Sequence, residues 1–299
     1  MIKNFVELET LLIRNKIKPR KLVLVNAHEE ASLLSVVEIM KRGYIKPTLI
    51  GDEPQILEIL EAHKIRDVLK IIHADTDKEA AFKAVECVRD GDADILMKGF
   101  IQTSDLLREV VNRDTGIRNQ PVLSHVALVE IPYLERMFMI TDGGMIPYPN
   151  YEQKIGIIEN AVHVAHALGV EVPKVALIDA AEHTNPHIQA SLDSENLSQK
   201  TWKDATVEGP ISIDLAVSAT IANTKKYTGK IQGDANILVV PDIISGNILG
   251  KVGTLFTEGK MAGIVQGAKV PIVLTSRGST LDEKINSILL SCFIGNEES

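Results

Sequence analysis

Hydrophobic positions along this chain follow two alternating rhythms. Short aliphatic runs such as Leu22-Val23-Leu24-Val25 are followed by stretches in which apolar residues recur every third or fourth position. The first rhythm predicts strands buried on both faces, the second amphipathic helices laid against them. A strand over 21–26 leads to a helix over 30–41, with Leu33, Val36, Val37 and Met40 on one face and Gly43 as its stop. A strand over 47–52, a helix over 54–63, a strand over 69–73 and a helix over 77–89 follow; Gly91-Asp92 then precedes a strand over 94–97. Strand-helix units of this kind, repeated at intervals of about thirty residues, predict a parallel α/β sheet.

The rhythm then changes. Two strand-like runs, 124–130 and 136–141, flank Ile131-Pro132-Tyr133-Leu134-Glu135 and predict a hairpin, so antiparallel strands join the sheet here. A long helix over 151–168 ends at Gly169, and strands over 174–178, 235–240 and 270–274 precede a last helix over 280–292. No tandem repeat, low-complexity tract or Gly/Ser-rich linker interrupts the chain, which predicts domains joined by packed crossings.

The 299 residues suffice for two domains of ordinary size. Aromatic residues make up only 4%, so Val, Ile, Leu and Ala must build the core. A net charge of −8 argues against a broad nucleic-acid or anionic-membrane surface, but not against a local anion site. Cys87 and Cys292 lack ligand-type spacing and read as reduced, packed thiols. The N-terminus lacks the apolar core of a signal peptide and no window resembles a membrane span, so a cytoplasmic protein is expected.

Three strand-to-turn junctions carry candidate chemistry. In Pro271–Asp282 an apolar strand runs into Ser276-Arg277-Gly278 and then a helix; helix N-termini beyond strand ends attract anions, and Arg277 adds a planar cation. The same residues also read as a cap, with Ser276 and Thr280 bonded to the helix start. At Lys98-Gly99 a strand enters a glycine turn followed by Thr103, Ser104 and, four residues beyond Ser104, Arg108; an anion cradle and an ordinary N-cap both fit. At Ser245-Gly246-Asn247 the glycine admits close approach of a ligand and the Asn amide can bind phosphate or a carbonyl, although a plain turn fits too. Lys98-Gly99 is not a nucleotide-binding P-loop, and no Gly-x-Gly-x-x-Gly follows the first strand. His183 and His187 are separated by the helix-breaking Pro186, so no metal site is expected there, and His125 reads as a hydrogen-bonded core histidine.

Taken in order, Lys98-Gly99…Thr103-Ser104-Asp105…Arg108, Gly209-Pro210-Ile211-Ser212-Ile213-Asp214, Gly233-Asp234-Ala235-Asn236…Ser245-Gly246-Asn247 and Thr275-Ser276-Arg277 resemble the phosphate acetyl/butyryltransferase family over nearly the whole chain. Lys98-Gly99, Leu123-Ser124-His125-Val126-Ala127 and Gly209-Pro210 are closer to its butyryltransferase branch, whereas Gly278 is an acetyltransferase-like detail; acyl length stays open. The resemblance implies a two-domain α/β/α sandwich of the isocitrate/isopropylmalate dehydrogenase-like type. Residues 1–122 with 270–299 would form one domain and 123–269 the other, with a cleft between them, in a homodimer. It further implies acyl-CoA + phosphate ⇌ acyl phosphate + CoA by direct transfer, with coenzyme A as substrate and neither cofactor nor metal. Ser276, Arg277 and Asp282 would be catalytic, with Glu283 the alternative base at the acetyltransferase spacing, and Lys98, Gly99, Thr103, Ser104, Arg108, Ser245, Gly246 and Asn247 would bind phosphate or CoA. A metal- and NAD-dependent dehydrogenase of the same fold and a non-catalytic sensor of acyl phosphates or CoA are the competing readings.

Overall fold

The computed structural model describes residues 2–276 and 278–294, in two compact units. One comprises Val6–Pro121 and the chain from Ala262 onward; the other comprises the first residues to Phe5 together with Val122–Met261. Residues 262–269 thus go with the first unit because Val265 pairs with Ile272, and residues 2–5 with the second, where the Ile2 carbonyl accepts the Met137 N–H.

The first unit opens with α1 (Phe5–Arg14), β1 (Arg20–Val25), α2 (Glu30–Lys41), β2 (Ile45–Gly51), α3 (Glu53–Ala62), β3 (Lys70–His73), α4 (Asp77–Arg89), β4 (Ile95–Lys98) and α5 (Thr103–Val110). The first three strand-to-helix junctions carry their own start chemistry: Glu29, Asp52 and Thr76 cap α2, α3 and α4 through their side chains. The second unit contains β5 (Ser124–Ile131), β6 (Arg136–Thr141), α6 (Tyr151–Ala167), β7 (Lys174–Asp179), α7 (Gln189–Gln199), β8 (Thr206–Ser212), α8 (Ile213–Val217), α9 (Ala219–Thr224), β9 (Ile237–Val239) and α10 (Ile243–Leu255). The chain then returns through β10 (Lys260–Gln266), β11 (Ile272–Val273) and α11 (Leu281–Phe293).

Within the first unit the strand order is β3-β2-β1-β4-β11-β10, parallel except for the β10–β11 pair. Leu22, Val23, Leu24, Leu96 and Ile272 are at most 1% exposed, as expected for strands covered on both faces. Within the second unit the order is β5-β6-β9-β7-β8, and β5–β6 is the antiparallel hairpin expected from the sequence. The chain is therefore an α/β protein with mixed strand directions.

The apolar rhythm misses α7, β8 and β10. The buried face of α7 is Ser191, Asp193, Ser194 and Leu197, a polar stripe satisfied by hydrogen bonds rather than an apolar one. β8 contains Gly209-Pro210 and lies at the edge of its sheet, where proline is tolerated. Among the described residues no helix is long and apolar enough to cross a membrane.

Candidate functional site

Parallel pairing decides which turns of the first unit become neighbours. β4 lies between β1 and β11, with Val25 opposite Lys98 and Val273 opposite Met97. The turns after these three strands, beginning near Asn26, Gly99 and Leu274, therefore leave one edge of the sheet side by side. That brings Lys98-Gly99 next to the Thr275-Ser276 turn although Ser276 lies 177 positions beyond Gly99 in the chain. This carboxyl edge is where α/β sheets offer helix N-termini and loop amides to ligands.

Gly99 is dictated by this packing. Its N–H donates to the Val25 carbonyl at 2.8 Å, and a Cβ there would lie 2.6 Å from that oxygen and closer still to the Asn26 carbonyl. Asn26 itself sits in the left-handed region (φ 51°), its amide bonded to Asp77 at 2.6 Å and to the Phe100 carbonyl at 3.0 Å. Lys98 is buried, with its Nζ 3.3 Å from the Gly99 carbonyl. The His28 ring meets Phe100 at 5.6 Å, and its buried Nδ1 has no hydrogen-bond partner. Beyond Gly99, α5 starts after Gln102 without any side-chain cap, so Thr103 and Ser104 present exposed hydroxyls in its first turn. Arg108 is exposed and paired with Asp105 at 3.0 Å.

The C-terminal junction separates capping from chemistry. Thr280 caps α11 by accepting the Glu283 N–H at 3.2 Å, whereas Ser276 is exposed and its Oγ accepts the Gly278 N–H at 3.2 Å. Arg277 lies outside the described residues. Asp282 is exposed in the first turn of α11; Glu283, one residue on, is half-buried and accepts a 2.7 Å bond from Ser279 Oγ. Burial pushes the Glu283 carboxyl above its ordinary value, and the Ser279 bond and the Lys284 charge only partly offset it. Raised proton affinity makes a carboxylate a stronger proton acceptor, the property a general base requires.

In the second unit, Asp242 caps α10, accepting from Ser245 N at 2.9 Å and Ser245 Oγ at 3.1 Å. Ser245, Gly246 and Asn247 therefore lie inside the first turns of the helix, not ahead of it, because the cap is three residues earlier than Ser245. Gly246 allows two backbones to touch: a Cβ would lie 2.7 Å from Gly143 Cα and 3.0 Å from the Asp142 carbonyl. The Asp142 carboxylate pins the facing loop by accepting N–H bonds from Gly144, Met145 and Ile146 at 2.9–3.0 Å. His125 is bonded through its backbone to Asp142 and Thr141, but its ring Nδ1 is buried without a partner, unlike the satisfied core histidine expected; burial lowers its pKa to about 4. A cavity of about 950 Å³ opens beside Ser245, its walls formed by Ile178, Val240, Ile248 and Val252 and by the buried Lys154–Asp193 ion pair. No group of three or more His, Cys, Asp or Glu residues able to hold a metal occurs among the described residues.

Sequence spacing did not mark Asn26, Glu29 or Lys284. Glu29 was findable as an acidic residue ahead of an apolar helix, while Asn26 and Lys284 show no one-dimensional signal.

Residues 69–292 match the family model described as Phosphate acetyl/butaryl transferase. The chain is 38% identical to a phosphate butyryltransferase of Clostridium acetobutylicum, covering all of both chains, and 35% identical to a phosphate acetyltransferase of Thermotoga maritima, covering 95% of this chain and 98% of that one. Among solved structures it resembles a branched-chain phosphotransacylase from Enterococcus faecalis V583, with a TM-score of 0.82 and 35% identity over 92% of this chain and 98% of that one.

Proposed function

Because the chain belongs to the phosphate acetyl/butyryltransferase family and is an acyltransferase acting between coenzyme A and phosphate, we propose that its preferred acyl group is butyryl-sized and that Glu283 is its general base. The observation that carries the second assignment is the half-buried Glu283, seven residues after Ser276 on a helix that Thr280, not Ser276, caps. In the direction of thioester synthesis, Glu283 takes the proton from the CoA thiol. The thiolate forms the carbon–sulfur bond at the carbonyl of the acyl phosphate, and the carbon–oxygen bond to phosphate breaks. Ser276 donates to the oxygen on which charge develops, a role worth about 3–4 kcal/mol in comparable sites. Arg277 and Arg108 hold the phosphoryl oxygens, Arg108 exchanging its contact with Asp105 for the substrate. Lys98, the Gly99 amide and the Thr103 and Ser104 hydroxyls serve the same anion, while Ser245, Gly246 and Asn247 serve the acyl-CoA. The scheme draws on no cofactor or metal.

The preference is tested by phosphate-dependent CoA release from acyl-CoAs of two to six carbons. Butyryl-CoA is expected to exceed acetyl-CoA in kcat/KM by about tenfold or more, since each methylene in a fitted pocket is worth roughly 1–3 kcal/mol. Acetyl-CoA leading would reassign the acyl group, and no phosphate-dependent release from any of them would end the reading.

The isocitrate/isopropylmalate dehydrogenase-like fold type and a cytoplasmic location are part of the same proposal, the latter supported by the two free cysteines. So is a homodimer. Its support is the row Ile244, Ile248, Val252 and Leu255 on α10 with Phe256 just beyond it, each 42–81% exposed, an apolar stripe of the kind a partner covers. Leu255→Glu is expected to convert a dimer into a monomer in light scattering; an unchanged mass would remove α10 from the interface.

A further inference from the structure

Lys284 is a cation where helix electrostatics and solvation both disfavour one. It lies in the first turn of α11, at the positive end of the helix dipole, and its side chain is only 4% exposed. Its Nζ donates to Thr275 Oγ1 at 3.1 Å and to Ser32 Oγ at 3.3 Å, and lies 3.6 Å from Glu29 Oε2. Ser32 and Thr275 are themselves buried.

The positions of these partners along the chain give the arrangement its meaning. Thr275 immediately precedes Ser276, and Lys284 immediately follows Glu283. The Lys284–Thr275 bond therefore joins the two ends of the 276–283 segment, and the contacts to Ser32 and Glu29 tie that closure to the start of α2. Glu29 is fixed in turn: it caps α2 by accepting the Ala31 and Ser32 N–H groups at 3.2 and 2.9 Å. We propose that Lys284 is a positioning residue for acyl transfer, its buried ammonium clamping the segment that carries Ser276 and Glu283 so that both stay in productive geometry. This rests on the acyltransferase reading above. The clamp also has an electrostatic side, since Lys284 lies beside Glu283 on α11 while α2 presents Glu29 to it.

The test compares Lys284→Met, Thr275→Val and Thr275→Ser with the wild-type enzyme in phosphate-dependent CoA release, with melting temperature as a check on folding. Lys284→Met is expected to lower kcat on the order of 10- to 100-fold, the scale of a small misplacement of reacting groups, with KM for phosphate and acyl-CoA within about twofold. Assayed in the opposite direction, CoA-dependent consumption of the acyl phosphate, where Glu283 works deprotonated, its acid limb in kcat should move to higher pH, because Glu283 loses the cation that opposes its protonation. Thr275→Val, which keeps the charge and the side-chain volume, should lose kcat several-fold, about 3- to 10-fold, and Thr275→Ser should restore it. A folded Lys284→Met with wild-type kcat and only a lowered melting temperature would overturn the proposal. Should that variant not fold, equal kcat for Thr275→Val and Thr275→Ser would do so. A wild-type enzyme without phosphate-dependent release would instead bring down the acyltransferase reading itself.

Discussion

Glu283→Gln should lower kcat by about 10²- to 10⁴-fold, the usual range for losing a general acid or base, while Asp282→Asn stays within about twofold of wild type. Neither substitution greatly changes side-chain volume, so the contrast isolates the carboxylate. Asp282 is exposed on the first turn of α11, whereas Glu283 is held by Ser279 and has its proton affinity raised by burial. The sign of the pH dependence follows. In thioester synthesis Glu283 works deprotonated, so activity measured in that direction falls as pH drops through its folded-state pKa, which lies above the ordinary value of 4.5. In phosphate-dependent CoA release the same carboxyl must be protonated to return the proton to sulfur. The difference between the wild-type and Glu283→Gln profiles in the direction of thioester synthesis removes the titration of the substrates, which both share. An acid limb that survives unchanged in Glu283→Gln would show the base to be elsewhere. The same raised pKa makes the native state bind the proton more tightly than the unfolded chain, so this group's contribution to stability declines as pH rises through its folded value.

Asp193→Ala should destabilise the fold by about 3–5 kcal/mol in urea unfolding. Asp193 Oδ2 accepts from Lys154 Nζ at 2.8 Å, with side-chain exposures of 7% and 5%, and Oδ1 accepts from the Gln189 amide at 2.8 Å. Truncation strands the buried Lys154 ammonium without its counter-charge. Lys154→Met combined with Asp193→Leu removes both charges and should recover most of the loss, since desolvation cancels much of what such a pair gains. If Asp193→Ala cost less than about 1 kcal/mol, water would have to reach Lys154 through the adjoining cavity, and the pair would behave as a surface one.

Strands and helices whose burial is apolar can be read directly from the chain. The runs that become β1, β4, β5 and β6 and the periodic faces of α2, α4 and α11 announce themselves because most of their buried side chains are aliphatic. α7 stays hidden because its buried face is polar, and β8 because Gly209-Pro210 looks like a turn. Site residues divide along the same line. Turn residues at strand ends stand out, since glycine and hydroxyl residues interrupt an apolar pattern; Lys284 and Asn26 look like any surface lysine or loop asparagine.

The chain by itself therefore determined the α/β alternation, the hairpin of β5 and β6, and the ordered set of turns that places it in its family, because local patterning and motif order survive in one dimension. Only the tertiary structure decided which turns lie side by side and which carboxylate of the Asp282-Glu283 pair is buried. It likewise showed that Thr280 and Asp242, not Ser276 or Ser245, provide the helix caps. Burial and hydrogen-bond partnership depend on residues brought together from far apart in the chain. Adjacent carboxylates such as Asp282 and Glu283 look alike in the chain; only the surrounding protein buries one of them and leaves the other exposed.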